Sequence, residues 1–172
     1  RITLSYHRAS TGTWQGGAQP SAPPQVGVLL DPRLAMDAEG NALLVWAQED
    51  MANPSQWIRR VWASRYDKVA DRWELPQILS PRDGTDAFSH TVVASGDGRV
   101  AVAWVGIEPA GPDEAVFMRH SSLRAGAEWS LRERMDTPAD HVATVRGFAL
   151  AVAPAAAVGD RPQIVVAWGK GF

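Results

Sequence analysis

Short runs of apolar residues separated by polar turns recur along the chain. In one copy, residues 34–36 and 41–46 flank the turn sequence DAEG, and in the next copy residues 91–94 and 99–104 flank SGDG. Glycine and aspartate in such turns supply the positive φ that tight hairpins need. The pattern therefore predicts antiparallel β-hairpins.

Each predicted hairpin is followed by a polar, proline-bearing loop and two further strands. The third strand alternates in character, and in the first copy one of its faces carries Ile58, Arg60, Trp62, Ser64 and Tyr66. A short turn then leads to a tryptophan and a fourth strand, at 74–79 and 130–135. The alanine run at 155–157 lies between Pro154 and Gly159, which argues against a helix there.

The eight tryptophans include two series with nearly the same period. One series is spaced by 58 and 64 residues and the other by 59 and 56; they are Trp46, Trp104, Trp168 and Trp14, Trp73, Trp129. Both series indicate three repeat equivalents. We expect the first series to fill the wedge between sheets and the second to plug the outer edge of each repeat.

Four antiparallel strands per repeat, stacked radially, predict an all-β fold, a β-propeller of four-stranded antiparallel blades. An open β-sandwich is the alternative. The predicted units are half a blade at 1–32, whole blades at 33–80 and 81–141, and half a blade at 142–172. Because closed propellers have about four to eight blades, these three equivalents predict a homo-oligomer or a longer polypeptide.

The repeat resembles that of bacterial sialidase-like propellers of the BNR, or Asp-box, type. The residues that carry the resemblance are the hairpin 37–46, the pair Arg65-Tyr66 and Trp73. The family's box, Ser-x-Asp-x-Gly-x-Thr-Trp, is degenerate here. Its frame is matched at the turn between the third and fourth strands by Ser122, Gly126 and Trp129, whereas Arg124 and Glu128 replace the Asp and Thr.

Composition narrows the function classes. Seventeen Lys and Arg against nineteen Asp and Glu give a net charge of −2, which argues against a broad nucleic-acid interface. The absence of cysteine excludes disulfides, thiolate zinc sites and a cysteine nucleophile. The longest nearly apolar run, 148–158, is too short for a membrane span.

Three groups of residues are candidates for ligand binding. Arg33 and His90 open predicted first strands and Arg146 lies in the equivalent stretch. The family resemblance implies that they are the remnant of an arginine cluster for a substrate carboxylate, with His90 in place of one guanidinium; the alternative is that they are solvated ends of strands. Acidic residues of the loops after the second strands could supply a carboxylate pair, although such residues are commonly only solvated; they are Glu49, Asp50, Glu108, Asp113 and Glu114. Trp57, outside both series, is either a stacking anchor or a packing residue.

Catalytic residues are not evident. The family resemblance implies a Tyr nucleophile paired with Glu and an Asp acid, but the repeat already explains Tyr6 and Tyr66. The histidines lack metal-ligand spacing, and we predict neither metal nor cofactor.

Two functional hypotheses remain. The first is a noncatalytic scaffold or binding module that presents loops to a protein partner or glycan. The second is part of a sialidase-like glycoside hydrolase whose catalytic residues lie mostly outside this chain. The resemblance implies an extracellular or periplasmic location, and a first residue other than Met agrees with a removed leader or a fragment.

Overall fold

The fold is antiparallel β throughout the part of the chain described by a computed structural model, which comprises residues 2, 4–8, 11–18, 27–50, 57–109, 111, 113–136, 144–154 and 163–171. These residues form strands and turns but no helix, and every strand pair is antiparallel. The all-β prediction is confirmed. No described segment has the helical length and hydropathy that crossing a membrane requires.

The described residues form thirteen strands in four sheets. The strands are β1 (Leu4–Arg8), β2 (Thr13–Ala18), β3 (Leu29–Met36), β4 (Ala42–Asp50), β5 (Ile58–Asp67), β6 (Arg72–Trp73), β7 (Gln77–Ile78), β8 (Asp86–Ala94), β9 (Arg99–Ile107), β10 (Glu114–Ser122), β11 (Glu133–Arg134), β12 (Thr144–Val152) and β13 (Ile164–Gly171). The first sheet has the order β3-β4-β5-β6, with β7 also paired to β5, and the second has the order β8-β9-β10-β11. Strands β1–β2 and β12–β13 form separate hairpins.

The fourth strands are shorter than the sequence predicts. Within the segment 74–79 only β7 pairs with β5. Pro76 separates β7 from β6 because it has no amide hydrogen for the ladder. The segment 130–135 contains only β11, two residues long. The first strand of the first sheet begins at Leu29, so the predicted boundary between residues 32 and 33 falls inside β3.

A register shift recurs where each first strand passes a tryptophan of the second strand. Between β3 and β4 it lies opposite Trp46, between β8 and β9 opposite Trp104, and between β12 and β13 beside Trp168. Two of the extra residues, Asp31 and Ser89, have φ of 48° and 45°. Such bulges bend a strand and re-aim its side chains. The repeat is therefore visible in the backbone as well as in the sequence.

The core lies between the first and second sheets. Alternate residues of the central strands β4 and β9 meet there, with contributions from β5 and β10; the largest are Leu43, Val45, Val61, Val102, Trp104 and Phe117. The opposite faces of β4 and β9 are also buried, and β12 packs against β8, β9 and β10. Each central strand is thus apolar on both faces, as a strand covered on both sides must be.

The tryptophans divide by environment rather than by series. Trp46 and Trp104 are fully buried, which confirms their packing role, and Trp73 is half-buried against Tyr66 with ring centroids 5.3 Å apart. The prediction that Trp14 plugs an outer edge is wrong, since its side chain is 73% exposed. The β1–β2 hairpin turns this ring toward solvent instead of toward a sheet.

Candidate functional site

The candidate loop residues collect at corresponding ends of the first and second sheets. We call this region the loop end; it comprises residues 49–50, 57–59, 81–86, 107–109, 111 and 113–114. Glu49 and Asp50 are the last residues of β4 rather than part of a loop, because the ladder with β5 continues to Asp50 opposite Ile58. Residues 51–56, the rest of the predicted loop, lie outside the described residues.

Trp57 lies at the loop end and is 79% exposed. The backbone that follows it is fixed, because the amide of Arg59 donates to Oδ1 of Asp86 at 2.7 Å. The Nε of Arg59 also donates to that oxygen, at 3.1 Å, and its guanidinium lies 4.3 Å from the ring centroid of Phe88. The exposed indole is thus carried by a segment tied to the second sheet.

The carboxylate of Asp50 neutralises a buried arginine. Its Oδ2 accepts from Nε of Arg60 at 3.1 Å. The Nη1 of Arg60 donates to the carbonyl oxygens of Pro81 and Thr85, each at 2.7 Å. Because a buried guanidinium needs both a counter-charge and acceptors, Asp50 has a structural task at this position.

Glu108 is engaged in the same way in the second sheet. Its carboxylate lies 3.1 Å from Arg134 and 3.9 Å from Arg132. Arg134 also donates to Asp136, and this hydrogen bond raises the pKa of the Arg134 guanidinium. Asp113 stands half-buried just before β10. Of the acidic candidates, Asp50 and Glu108 therefore belong to ion pairs, whereas Glu49 and Glu114 accept from the backbone amides of Val28 and Val145.

The three residues predicted to bind a substrate carboxylate, Arg33, His90 and Arg146, do not occupy equivalent positions. Arg33 is exposed in the middle of β3, not at its start, and His90 lies inside β8. Relative to the facing tryptophans, Arg33 corresponds to Thr91, and Arg146 corresponds to Phe88. The prediction that Arg33 and His90 open their strands is wrong because β3 and β8 extend farther toward the loop end. The side chain of Arg146 lies outside the described residues.

His90 joins the two sheets instead of facing solvent. It is 5% exposed, and its Nε2 donates to the carbonyl oxygen of Asp31 at 2.7 Å. Its Nδ1 is buried and has no hydrogen-bond partner. Burial lowers the pKa of the His90 imidazole, and repulsion from Arg33 lowers it further, although Asp31 acts in the opposite direction. The neutral ring is the form that this junction accommodates.

The turn that resembles an Asp-box has a different set of hydrogen bonds. Gly126 has φ of 70°, and its amide donates to Oε1 of Glu74 in the first sheet at 3.0 Å. Ser121, next to the residue that matches the box, donates from Oγ to the carbonyl oxygen of Glu128 at 2.7 Å. Arg124, which stands in place of the Asp, is exposed. Glu74 and Ser121, which are not positions of the box, thus supply hydrogen bonds to this turn.

Sequence reasoning missed the arginines that connect the sheets. Arg65 is buried, and it reaches the carbonyl oxygen of Ser122 at 3.1 Å and Oγ of Ser121 at 2.8 Å. Its guanidinium lies 4.9 Å from the ring centroid of Trp129. At the loop end, Arg59 and Arg60 likewise connect the sheets, through Asp86 and Thr85. The sequence signal for these arginines was their position in the segments IRR and SRY, within a strand that also carries apolar residues.

Among the described residues, no group of three or more His, Asp or Glu side chains is arranged to hold a metal ion. Comparison of the chain with protein-family profiles, curated proteins and solved structures gave no match. The resemblance to sialidase-like propellers accordingly stays a prediction.

Proposed function

We propose that this chain is a noncatalytic binding module of the β-propeller type, which holds a glycan or a protein partner at the loop end. The single observation that carries the proposal is the indole of Trp57, 79% exposed on a backbone that Arg59 ties to Asp86. A large exposed ring on a fixed segment offers stacking area at little cost in conformational entropy.

Ion pairing at the loop end favours binding over hydrolysis. A glycosidase needs two carboxyl groups free to handle a proton and a sugar carbon. Here Asp50 serves Arg60, and Glu108 serves Arg134. Carboxylate oxygens that already accept from arginines are less available to a substrate.

The blade interpretation draws support from the repeated sheet order. Both sheets run in chain order from a first strand to a short fourth strand, and the bulge opposite the second-strand tryptophan recurs. Radial stacking of such units gives a propeller. The Asp-box resemblance belongs to the same proposal.

A second copy or further blades would cover the edge at β3. Among the described residues, no strand pairs with the outer side of β3, and this strand exposes Leu34 and Met36, 51% and 55% of whose surfaces are accessible. Exposed strand edges with apolar side chains favour association. Mass measurement in solution tests this part: a monomer with a single cooperative melt at all concentrations would contradict the homo-oligomer.

The binding proposal is tested with the purified chain on an array of neutral and acidic oligosaccharides and by crosslinking to partner proteins. Trp57→Ala should weaken the bound glycan or partner about tenfold or more, as loss of an interface anchor does. Trp14→Ala is the matched control, because it removes another exposed indole, 73% accessible and far along the chain.

Three results would count against the module. Equal binding by the wild type and Trp57→Ala would remove the anchor. Absence of both a glycan and a crosslinked partner would remove the function. Hydrolysis of a fluorogenic sialoside by the purified chain would contradict the noncatalytic assignment in favour of a sialidase-like hydrolase.

A further inference from the structure

Two arginines lie on neighbouring segments, Arg119 in β10 and Arg132 just before β11. The pairing of β10 with β11 joins Phe117 to Arg134 and Met118 to Glu133. Arg119 and Arg132 are the next residues along the two segments, and beyond them the main-chain bond from Ser130 N to His120 O, 2.9 Å, is offset by one residue from that register. Like charges directly opposite each other destabilise a sheet. A negatively charged group between the two arginines would offset this repulsion.

Neither guanidinium is fully satisfied within the described residues. Arg119 has no ion pair or hydrogen-bonded partner there, and its Nε is buried without an acceptor. Arg132 lies over the ring of Phe117, 4.6 Å from the centroid, and its Nη1 is also buried without an acceptor. Its distances to Asp83 and Glu108 are 3.6 and 3.9 Å, longer than hydrogen bonds.

The carboxylates of this face serve other donors. Asp136 and Glu108 accept hydrogen bonds from Arg134. Asp83 accepts from the amide and the hydroxyl of Thr85, at 3.0 and 2.6 Å. Burial lowers the pKa of the Arg119 guanidinium, and the charge of Arg132 lowers it further. The charge that acts on Arg119 is thus one of its own sign.

We propose that Arg119 and Arg132 together bind a tetrahedral oxyanion, the phosphate or sulfate group of a ligand. A tetrahedral group has enough oxygens to accept from two guanidinium groups at once, whereas a carboxylate is already filled by one bidentate arginine. The bound anion accepts from the outer guanidinium nitrogens of both arginines and cancels their repulsion. Asp83 and Glu108 oppose this binding from the Arg132 side.

This site borders the loop end through Asp83 and Glu108, but Trp57, the anchor of the binding module proposed above, is not part of it. Trp57→Ala should leave oxyanion binding unchanged, and loss of Arg119 should leave binding at the loop end unchanged. The two proposals can therefore fail separately.

Calorimetric titration of the full chain with inorganic phosphate and with sulfate, at constant ionic strength with chloride as the reference anion, tests the site. The wild type should bind saturably, and Arg119→Gln should bind about tenfold more weakly or less, since a charge-assisted hydrogen bond is lost. Asp83→Asn should bind more tightly. The ratio of phosphate to sulfate affinity identifies which of the two groups the site prefers.

Thermal melting in buffer free of both anions provides the second measurement. Arg119→Gln should melt at a higher temperature than the wild type, because the substitution removes a like-charge neighbour and an unsatisfied donor. Arg72→Gln, the same change of charge at an exposed position on β6, is the control and should keep the wild-type affinity.

Two outcomes would overturn the proposal. The first is non-saturable binding that is equal in the wild type, Arg119→Gln and Arg72→Gln, which is general charge attraction. The second is a lower melting temperature for Arg119→Gln in anion-free buffer, which would make Arg119 a structural residue.

Discussion

The Nε2 of His90 lies 2.7 Å from the carbonyl oxygen of Asp31, and this bond joins the first strands of two neighbouring sheets. Asp31 presents its carbonyl there because it sits in the bulge of β3, with φ of 48°. A carbonyl oxygen can only accept, so Nε2 carries the hydrogen and the neutral ring leaves Nδ1 bare. A second proton on Nδ1 would place a positive charge in a buried position and would be repelled by Arg33.

Stability should therefore fall on mild acidification. Because the folded state lowers the pKa of His90 below its ordinary value of about 6.5, the unfolded chain binds more protons below that pH. We expect the free energy of unfolding to decline from about pH 6.5 downward, by at most about 1.4 kcal/mol per pH unit from this group, until its folded pKa is passed. Urea titrations between pH 5 and 8 measure this.

His90→Gln should flatten that decline, since glutamine can still donate to Asp31 but does not titrate. His120→Gln is the control, because His120 is half-exposed on β10 and its loss should leave the decline in place. A pH dependence that is identical in the wild type and His90→Gln would assign the effect to other groups.

Arg65→Met should destabilise the junction of the two sheets. Arg65 is 3% exposed, and it bonds to Ser121, Ser122 and Glu74. Removing its donors leaves those acceptors partly unsatisfied, and we expect a loss of about 2–4 kcal/mol in the free energy of unfolding, measured by urea denaturation. Arg82→Met, at an exposed position, should cost far less. Equal losses of unfolding free energy in the two variants would show that the contacts of Arg65 contribute nothing specific.

Trp104 and Trp14, one buried and one exposed, should respond differently to truncation. Trp104 is fully buried in the core, so Trp104→Ala should cost about 3–5 kcal/mol through lost packing and the cavity left behind. Trp14→Ala, at an exposed site, should stay close to the wild type. Denaturation monitored by far-ultraviolet circular dichroism avoids the change in fluorescence. A large loss at Trp14 would restore the predicted edge plug.

The hairpin turn of the second sheet depends on one of its two glycines. Gly98 has φ of 84°, and a Cβ there would come within 3.2 Å of Oδ2 of Asp37 in the neighbouring turn. Gly98→Ala should cost about 1–2 kcal/mol because alanine is strained at positive φ. At Gly96, the nearest atom to an added Cβ is 3.8 Å away. Gly96→Ala should therefore be nearly neutral in the same thermal melts, and a reversed order would refute this reading of the turn.

Local pattern was sufficient for the strands and hairpin turns. Alternation and the turn sequences DAEG and SGDG predicted β3–β4 and β8–β9, since these signals act between residues adjacent in sequence. The burial of Trp46 and Trp104 followed from their repeat position. The exposure of Trp57 was one of two alternatives, and only the packing around it distinguishes them.

The candidate cluster of Arg33, His90 and Arg146 was not recoverable in this way. One extra residue in each first strand changes which side chains are equivalent, and a bulge depends on the facing strand. The pairing of Arg59 with Asp86, 27 residues away, likewise depends on how the sheets meet.

The sequence by itself determined the class of the protein: antiparallel β repeats with phased tryptophans, no cysteine chemistry and little net charge. These properties reside in composition and in the period of two along a strand. Only the tertiary structure decided which charges are paired, which ring is exposed and which donors lack acceptors. Those outcomes depend on distances between residues far apart in the chain, and burial changes the free energy of each charge according to the partners that packing brings to it.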